Sequence, residues 1–188
     1  VAGTLAGAGI TAWEALNKLK VARGETLLVH AAAGGVGTFA VQLAVDRGVH
    51  VIGTAGEGNH EQLRSFGVKP VTYGKGLVEH VRGVSPQGVD AVLDASGRGE
   101  IPDSIELAGG PERVLSLVAF DAAGSGIQIH MTEPGASGPQ ALGDILALIK
   151  AGRLRVPIQR TYPLGEVAAA LEVSQSGHLG GKLVLLPA

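Results

Sequence analysis

The sequence predicts an α/β protein whose core is a doubly wound parallel sheet with helices on both faces. Three features carry that prediction. Short apolar runs alternate with amphipathic stretches along almost the whole chain, the pattern left by strands buried on both faces and by the helices that cover them. A glycine cluster, HAAAGGVG at residues 30–37, sits where an apolar run meets a helical stripe. The 188 residues, 45% hydrophobic and 17% charged, suffice for one sizeable core.

The elements follow in order. The opening VAGTLAGAGITAWEAL has Val1 where an initiator methionine would stand; it reads as chain already in progress, so a piece of a longer protein is expected. A helix is placed over residues 11–19 and a strand over 26–31, the latter ending in the glycine cluster. The next helix, 36–47, has the clearest period, with Val36, Phe39, Ala40, Leu43 and Ala44 on one stripe. Its first turn carries no Asp or Glu, which leaves the positive end of the helix dipole to an outside anion. Strands then fall at 50–54, 70–73, 89–94, 113–118 and 127–131, giving six in all. Between and after them lie helices at 59–66, 77–82, 101–107, 139–150 and 164–174. Glycine and proline flank the 127–131 strand on both sides, which marks it as an edge element. The closing GHLGGKLVLLPA is a strand with no helix after it.

Composition removes several functions. A formal net charge of −2 without any run of Lys or Arg gives no field for nucleic acid. No 18-residue apolar run occurs and no basic segment precedes an apolar one at the start, so neither a membrane span nor a signal peptide is expected; the cytoplasm is the default. There is no cysteine, and the six histidines (30, 50, 60, 80, 130 and 178) show no i,i+3 or i,i+4 pairing, so no bound metal is expected. His178, just before the GGK of the closing strand, is the histidine to watch. No serine lies in G-x-S-x-G, which removes an α/β-hydrolase. Asp90 and Asp94 are read as turn caps. Arg98, Glu100, Glu112 and Arg113 are read as partners in surface pairs worth little.

The glycine cluster carries the chemistry. Aligned on its last glycine it reads Ala32-Ala33-Gly34-Gly35-Val36-Gly37, a form of G-x-G-x-x-G with alanine at the first position. In a dinucleotide-binding turn the second glycine lets the backbone approach a pyrophosphate and the third packs helix on strand. Gly34 and Gly37 take those parts, and the N–H groups at about residues 35–38 become donors to phosphate oxygens. The flanking strand and helix are the context this pattern requires; without a ligand, the same turn would serve packing alone. At the end of the next strand, where an NAD-selective site holds a carboxylate for the ribose 2′-hydroxyl, stand Thr54, Ala55 and Gly56. Small neutral residues leave room for a 2′-phosphate, so NADPH is expected; Glu57 and the lack of a nearby lysine argue the other way. Asn59, His60 and Arg64 are the candidate phosphate partners.

These stretches resemble the medium-chain dehydrogenase/reductase superfamily, and most closely its zinc-independent quinone-oxidoreductase-like branch. The resemblance is carried by GITAWEAL, GETLLVHAAAGGVGTFAVQLA, VIGTAG, GVDAVLDASG and GHLGGKLVLLP, in family order from one end of the chain to the other. It implies a Rossmann-type domain over residues 1–175 and, over 176–188, a strand belonging to a GroES-like catalytic domain with no counterpart here. It implies NADP as cofactor and hydride transfer to a quinone or enone. By position it carries Thr11 to the nicotinamide, although a helix N-cap would use the same residue. It also carries Thr54 and Gly56 to the adenosine ribose, and Tyr73 to the adenosine phosphate. Ser96, Val118 and Phe120 correspond to ribose and nicotinamide contacts at strand ends. A homodimer through the 127–131 edge is expected. No side chain is assigned as catalytic. The alternative is a non-catalytic nucleotide-binding or interaction module that retains the fold.

Overall fold

The computed structural model describes residues 4–132, 137–175 and 180–187. Six strands, β1 (Thr26–His30), β2 (His50–Thr54), β3 (Lys69–Val71), β4 (Ala91–Asp94), β5 (Val114–Ser116) and β6 (Gln128–Ile129), form one sheet in the order β3-β2-β1-β4-β5-β6. Every neighbouring pair is parallel. The chain runs outward from β1 to β3, crosses back to β4 and runs outward the other way, which is the doubly wound Rossmann order. The helices are α1 (Ile10–Leu19), α2 (Gly37–Asp46), α3 (His60–Ser65), α4 (Leu77–Val84), α5 (Ile101–Ala108), α6 (Gly138–Lys150) and α7 (Val167–Gln175).

Two apolar layers sandwich the sheet. Leu27 and Val29 of β1 point to a layer containing Leu16 of α1, Phe39 and Leu43 of α2, and Ile145 of α6. Leu28, between them, points the other way to Val92, Leu77, Val81 and Leu107. Because both faces are buried, β1 and β4 are apolar at successive positions, which is why they were legible as unbroken runs. The expected element ends shift by a few residues. The strand placed at 70–73 is Lys69–Val71, that at 89–94 begins at Ala91, and those at 113–118 and 127–131 shorten to Val114–Ser116 and Gln128–Ile129. The last expected helix starts at Val167, after a separate 3-10 turn at Leu164–Glu166.

Two features go beyond the sequence reading. Helix α2 is buried well past its apolar stripe, and Thr38, Val41 and Gln42 are covered as well. Val41 belongs to the core, Thr38 Oγ1 donates to Ala33 O, and Gln42 Nε2 donates to Arg155 O at 2.9 Å while its Oε1 accepts the Arg155 N–H at 2.8 Å. This pair of hydrogen bonds docks the chain after α6 onto α2. There the second feature begins: β7 (Ile158–Pro163) pairs in parallel with β8 (Lys182–Leu186) as a separate two-stranded sheet. Strand β8 was expected; β7 was not, since only Tyr162 in it is buried and it offers no apolar alternation. The expected boundary at 175/176 abuts residues outside the described set, and His178 lies among them.

Why alanine can stand at the first glycine position of the turn is visible in the packing. A Cβ on Gly53 of β2 would sit 2.6 Å from the Ala32 Cβ and 3.0 Å from Val68 Cγ1, so the side chain gained on β1's exit is accommodated by one missing from β2. Gly53→Ala is therefore expected to cost roughly 2 kcal/mol by overpacking. Adding Ala32→Gly recovers a large part of that loss, a coupling measurable by a double-mutant cycle in urea denaturation.

Candidate functional site

Ala31, directly after β1, has φ +52°, a left-handed conformation that costs a non-glycine residue about 1–2 kcal/mol. It turns the Ala31 carbonyl back toward the coming helix, where it accepts the Gly34 N–H at 2.9 Å. A Cβ on Gly37 would overlap that carbonyl oxygen and the Ala32 Cα, and one on Gly34 would lie 3.0 Å from the same oxygen. Gly37 thus packs helix on strand as expected, and Gly34 shares the task. Thr38 N–H is taken by Gly34 O at 3.0 Å, so it drops out of the expected donor set. Among the described residues the N–H groups of Gly35, Val36 and Gly37 have no protein acceptor, and they open the first turn of α2.

Beside this turn lies a cleft of about 570 Å³ at the carboxyl ends of β1, β2 and β4. That is the switch point of the sheet, where the strand order reverses and ligands bind in such folds. Of the expected residues, Gly34, Thr54, Gly56, Tyr73 and Ser96 line it. Asn59 lines it too, with its Oδ1 where a Cβ on Gly180 would fall. His60 Nε2 is 3.1 Å from Ala55 O, so His60 closes the β2 exit instead of facing the cleft. Arg64 is not among the lining residues. Thr11, Val118 and Phe120 also stand outside the cleft. Thr11 Oγ1 bonds to Gly7 O at 3.0 Å and lies 2.7 Å from Thr132 Oγ1; it is not the helix cap, a place held by Gly9. Val118 and Phe120 are 44% and 52% exposed. Phe120 lines a second, wider hollow with Trp13, Ile129 and Met131.

A buried polar network forms the floor of the cleft. His30 is fully buried, with Nε2 3.0 Å from Ser104 Oγ and Nδ1 3.4 Å from Thr54 Oγ1. Ser104 spends its proton on Glu100 O at 2.6 Å, so His30 carries its hydrogen on Nε2 and accepts from Thr54 through Nδ1. Thr54 Oγ1 also accepts the Ala31 N–H at 3.2 Å. Its hydroxyl therefore holds the turn in place. Asp94 Oδ1 accepts the N–H groups of Ser96 and Gly97 and lies 2.9 Å from Ser96 Oγ, and its Oδ2 accepts from Ser116 Oγ. Burial pushes the Asp94 carboxyl up, but these hydrogen bonds outweigh it and hold the group below the usual carboxylate range. Asp94 caps the turn that follows it, as expected; Asp90 instead accepts the N–H of Thr26, the first residue of β1, at 2.7 Å.

Two cations at the site escaped the sequence reading. Arg98, expected in a surface ion pair, lines the cleft with its guanidinium 5.3 Å from the centre of the Tyr73 ring. Arg113 instead pairs with Glu25 through two bonds of 2.7 and 2.9 Å. Lys182, the first residue of β8, lays its Nζ over Gly35, where a Cβ would overlap it. Burial pushes this ammonium below its ordinary range. A half-buried cation thus stands over the positive end of a helix, an arrangement that favours an anion.

The model of the zinc-binding dehydrogenase family matches residues 66–185. The chain belongs to that family. Within the medium-chain dehydrogenase/reductase superfamily it is a cofactor-binding domain of the zinc-independent, quinone-oxidoreductase-like branch. The chain has no cysteine, and among the described residues no group of three or more His, Asp or Glu could hold a metal ion. It is 30% identical to human mitochondrial NAD(P)H oxidoreductase RTN4IP1, over 98% of this chain and 54% of that protein. It superposes on the quinone oxidoreductase of Coxiella burnetii with a TM-score of 0.81 and 31% identity, covering 97% of this chain and 59% of that one. A mycobacterial protein, Rv1454c, solved in complex with NADPH, shares the fold at a TM-score of 0.80 and 24% identity, over 98% of this chain and 63% of that one. The chain thus spans little more than half of each of these proteins.

Burial holds the His30 pKa below its ordinary value, so the folded state keeps it neutral where the unfolded chain takes up a proton. Stability from this group is complete above the unfolded pKa of about 6.5 and falls as pH drops toward the folded value. Thermal unfolding from pH 7 to pH 5 should show that decline in the native chain. A flatter slope is expected for His30→Gln, which starts from a lower melting temperature.

Proposed function

We propose that this chain is the NADPH-binding half of an oxidoreductase that passes hydride from NADPH to a quinone or an α,β-unsaturated carbonyl compound. The observation that carries the reading is the trio of acceptor-free N–H groups at Gly35, Val36 and Gly37, beside a cleft at the sheet's switch point. Such a cradle suits a pyrophosphate, because the donors and the helix dipole both favour an anion there. The names of the relatives, an NAD(P)H oxidoreductase and a quinone oxidoreductase, support the same reaction class. NADPH, once bound, supplies the hydride. What this chain's residues do is hold and orient. The Gly35–Gly37 amides and the Lys182 ammonium take the pyrophosphate, and Thr54, Gly56, Tyr73 and Ser96 border the adenosine side. Thr11, Val118 and Phe120, outside the cleft, would meet the nicotinamide end. No side chain here is assigned the proton transfer, and the acceptor's oxygen is left to upstream residues, water or a backbone amide.

The β7–α7–β8 unit exposes Leu164, Val167, Leu171 and Leu186. This apolar face supports the proposal that residues 176–188 complete a GroES-like catalytic domain carried by a longer chain. Edge strand β6, with Met131 67% exposed beside it, is the proposed homodimer seam.

Titration of the purified chain with NADPH and NADH tests the reading. NADPH is expected to bind at least tenfold more tightly; no binding of either would leave a turn that serves packing alone. Activity is tested by NADPH oxidation with quinones and enones in a protein that also carries the catalytic domain. Binding without turnover there would favour a nucleotide-sensing module. Lys182→Met should weaken NADPH and NADH by the same factor, about tenfold, since both carry the pyrophosphate, and should flatten the salt dependence of binding.

A further inference from the structure

We propose that Arg98, stacked on Tyr73, is the residue that recognises the 2′-phosphate of the cofactor and so sets its choice of dinucleotide. The inference rests on the NADPH reading above and deepens it at one subsite. The end of β2 presents Thr54, Ala55 and Gly56, which offer no positive charge and, with the Thr54 hydroxyl committed to His30 and Ala31, no free side-chain donor. His60 is turned to Ala55 O. Among the described residues Arg98 is the one Lys or Arg lining the cleft, and it arrives from the β4 exit, across the cleft from β2.

Its placement is built. Asp94 Oδ1 gathers the N–H groups of Ser96 and Gly97, and Ser96 Oγ accepts the Arg98 N–H at 3.2 Å while donating to Glu100 Oε2 at 2.6 Å. That loop is therefore pinned through its backbone to a buried carboxylate. Tyr73 then supports the guanidinium from the β3 exit, with 5.3 Å between the guanidinium carbon and the ring centre, a cation–π contact that aligns the planar group. Arg98 is exposed and forms no ion pair among the described residues. Its five N–H donors are open to a phosphate, for which a planar fork is suited. Glu100 does not neutralise it, being buried and bonded to Ser96. Glu57, exposed at the same rim, is the competing group: a carboxylate there would accept from a free ribose 2′-hydroxyl and favour NADH.

Adenosine 2′,5′-bisphosphate and 5′-AMP, which differ at this subsite alone, separate the cases by calorimetric titration of the chain. For Arg98→Gln the bisphosphate is expected to lose at least tenfold in affinity with 5′-AMP unchanged. Arg98→Lys should fall between, since it keeps the charge but loses the fork. An unchanged melting temperature confirms that neither substitution perturbs the fold. Equal losses for both ligands would make Arg98 an adenine-stacking residue and overturn the proposal, as would an unchanged bisphosphate affinity. A native chain that binds NADPH no more tightly than NADH would overturn it through Glu57, while one that binds no adenine nucleotide at all would instead sink the dinucleotide reading itself.

Discussion

The carbonyl of Ala31 is the point on which this architecture turns. A residue that would ordinarily leave a strand in extended conformation is held at φ +52°, and the oxygen so displaced occupies the space that side chains at Gly34 and Gly37 would need. The close approach brings the first turn of α2 against the end of β1. The three consecutive amides that follow open a helix, and so no carbonyl of a preceding turn takes them. Backbone strain, glycine packing and anion capture are thus one arrangement, and the strain is offset by the large apolar burial of α2 on both sides of it.

Beneath that turn, polarity is conserved within the protein. His30, Thr54, Ser104, Glu100, Ser96, Asp94 and Ser116 hand hydrogen bonds from one to the next across the ends of β1, β2, β4 and β5. A buried network of this kind is tolerable only when its members are satisfied. Its benefit is positional: the chain leaving β1 is tied to Thr54 of β2, and the loop leaving β4 to Asp94 at the end of that strand, which Ser116 of β5 holds in turn. The cleft between them is consequently a surface with set spacing, which suits the binding of a rigid ligand without reorganisation.

Much of this could be read from the sequence. The fold class, the six strands of the main sheet and the packing role of Gly37 follow from local signals: apolar runs, helical period and a glycine spacing whose steric reason is known. What escaped was non-local. Arg98 looked like one of several surface charges near Glu100, because nothing in SGRGE shows that Tyr73 will stand under it. Lys182 reaches Gly35 only through the docking of a second small sheet. Strand β7 was hidden because IQRTYP takes its place from pairing with β8 and not from a buried face. Thr54 was placed at the right strand end, but its hydroxyl direction depends on a histidine from β1 that the residue pattern left without a role.

The amide of Gln42 meets both the N–H and the C=O of Arg155, as a neighbouring strand would. A side chain thereby supplies a single rung of ladder between two parts of the chain that share no sheet. Glutamate could not donate and asparagine could not span the gap, so this position has one chemically competent occupant. With Leu154 and Val156 packed on the core and Arg153 paired with Asp46, this carboxamide sets the course of the chain into the outer sheet, and with it the reach of the lysine that opens its last strand.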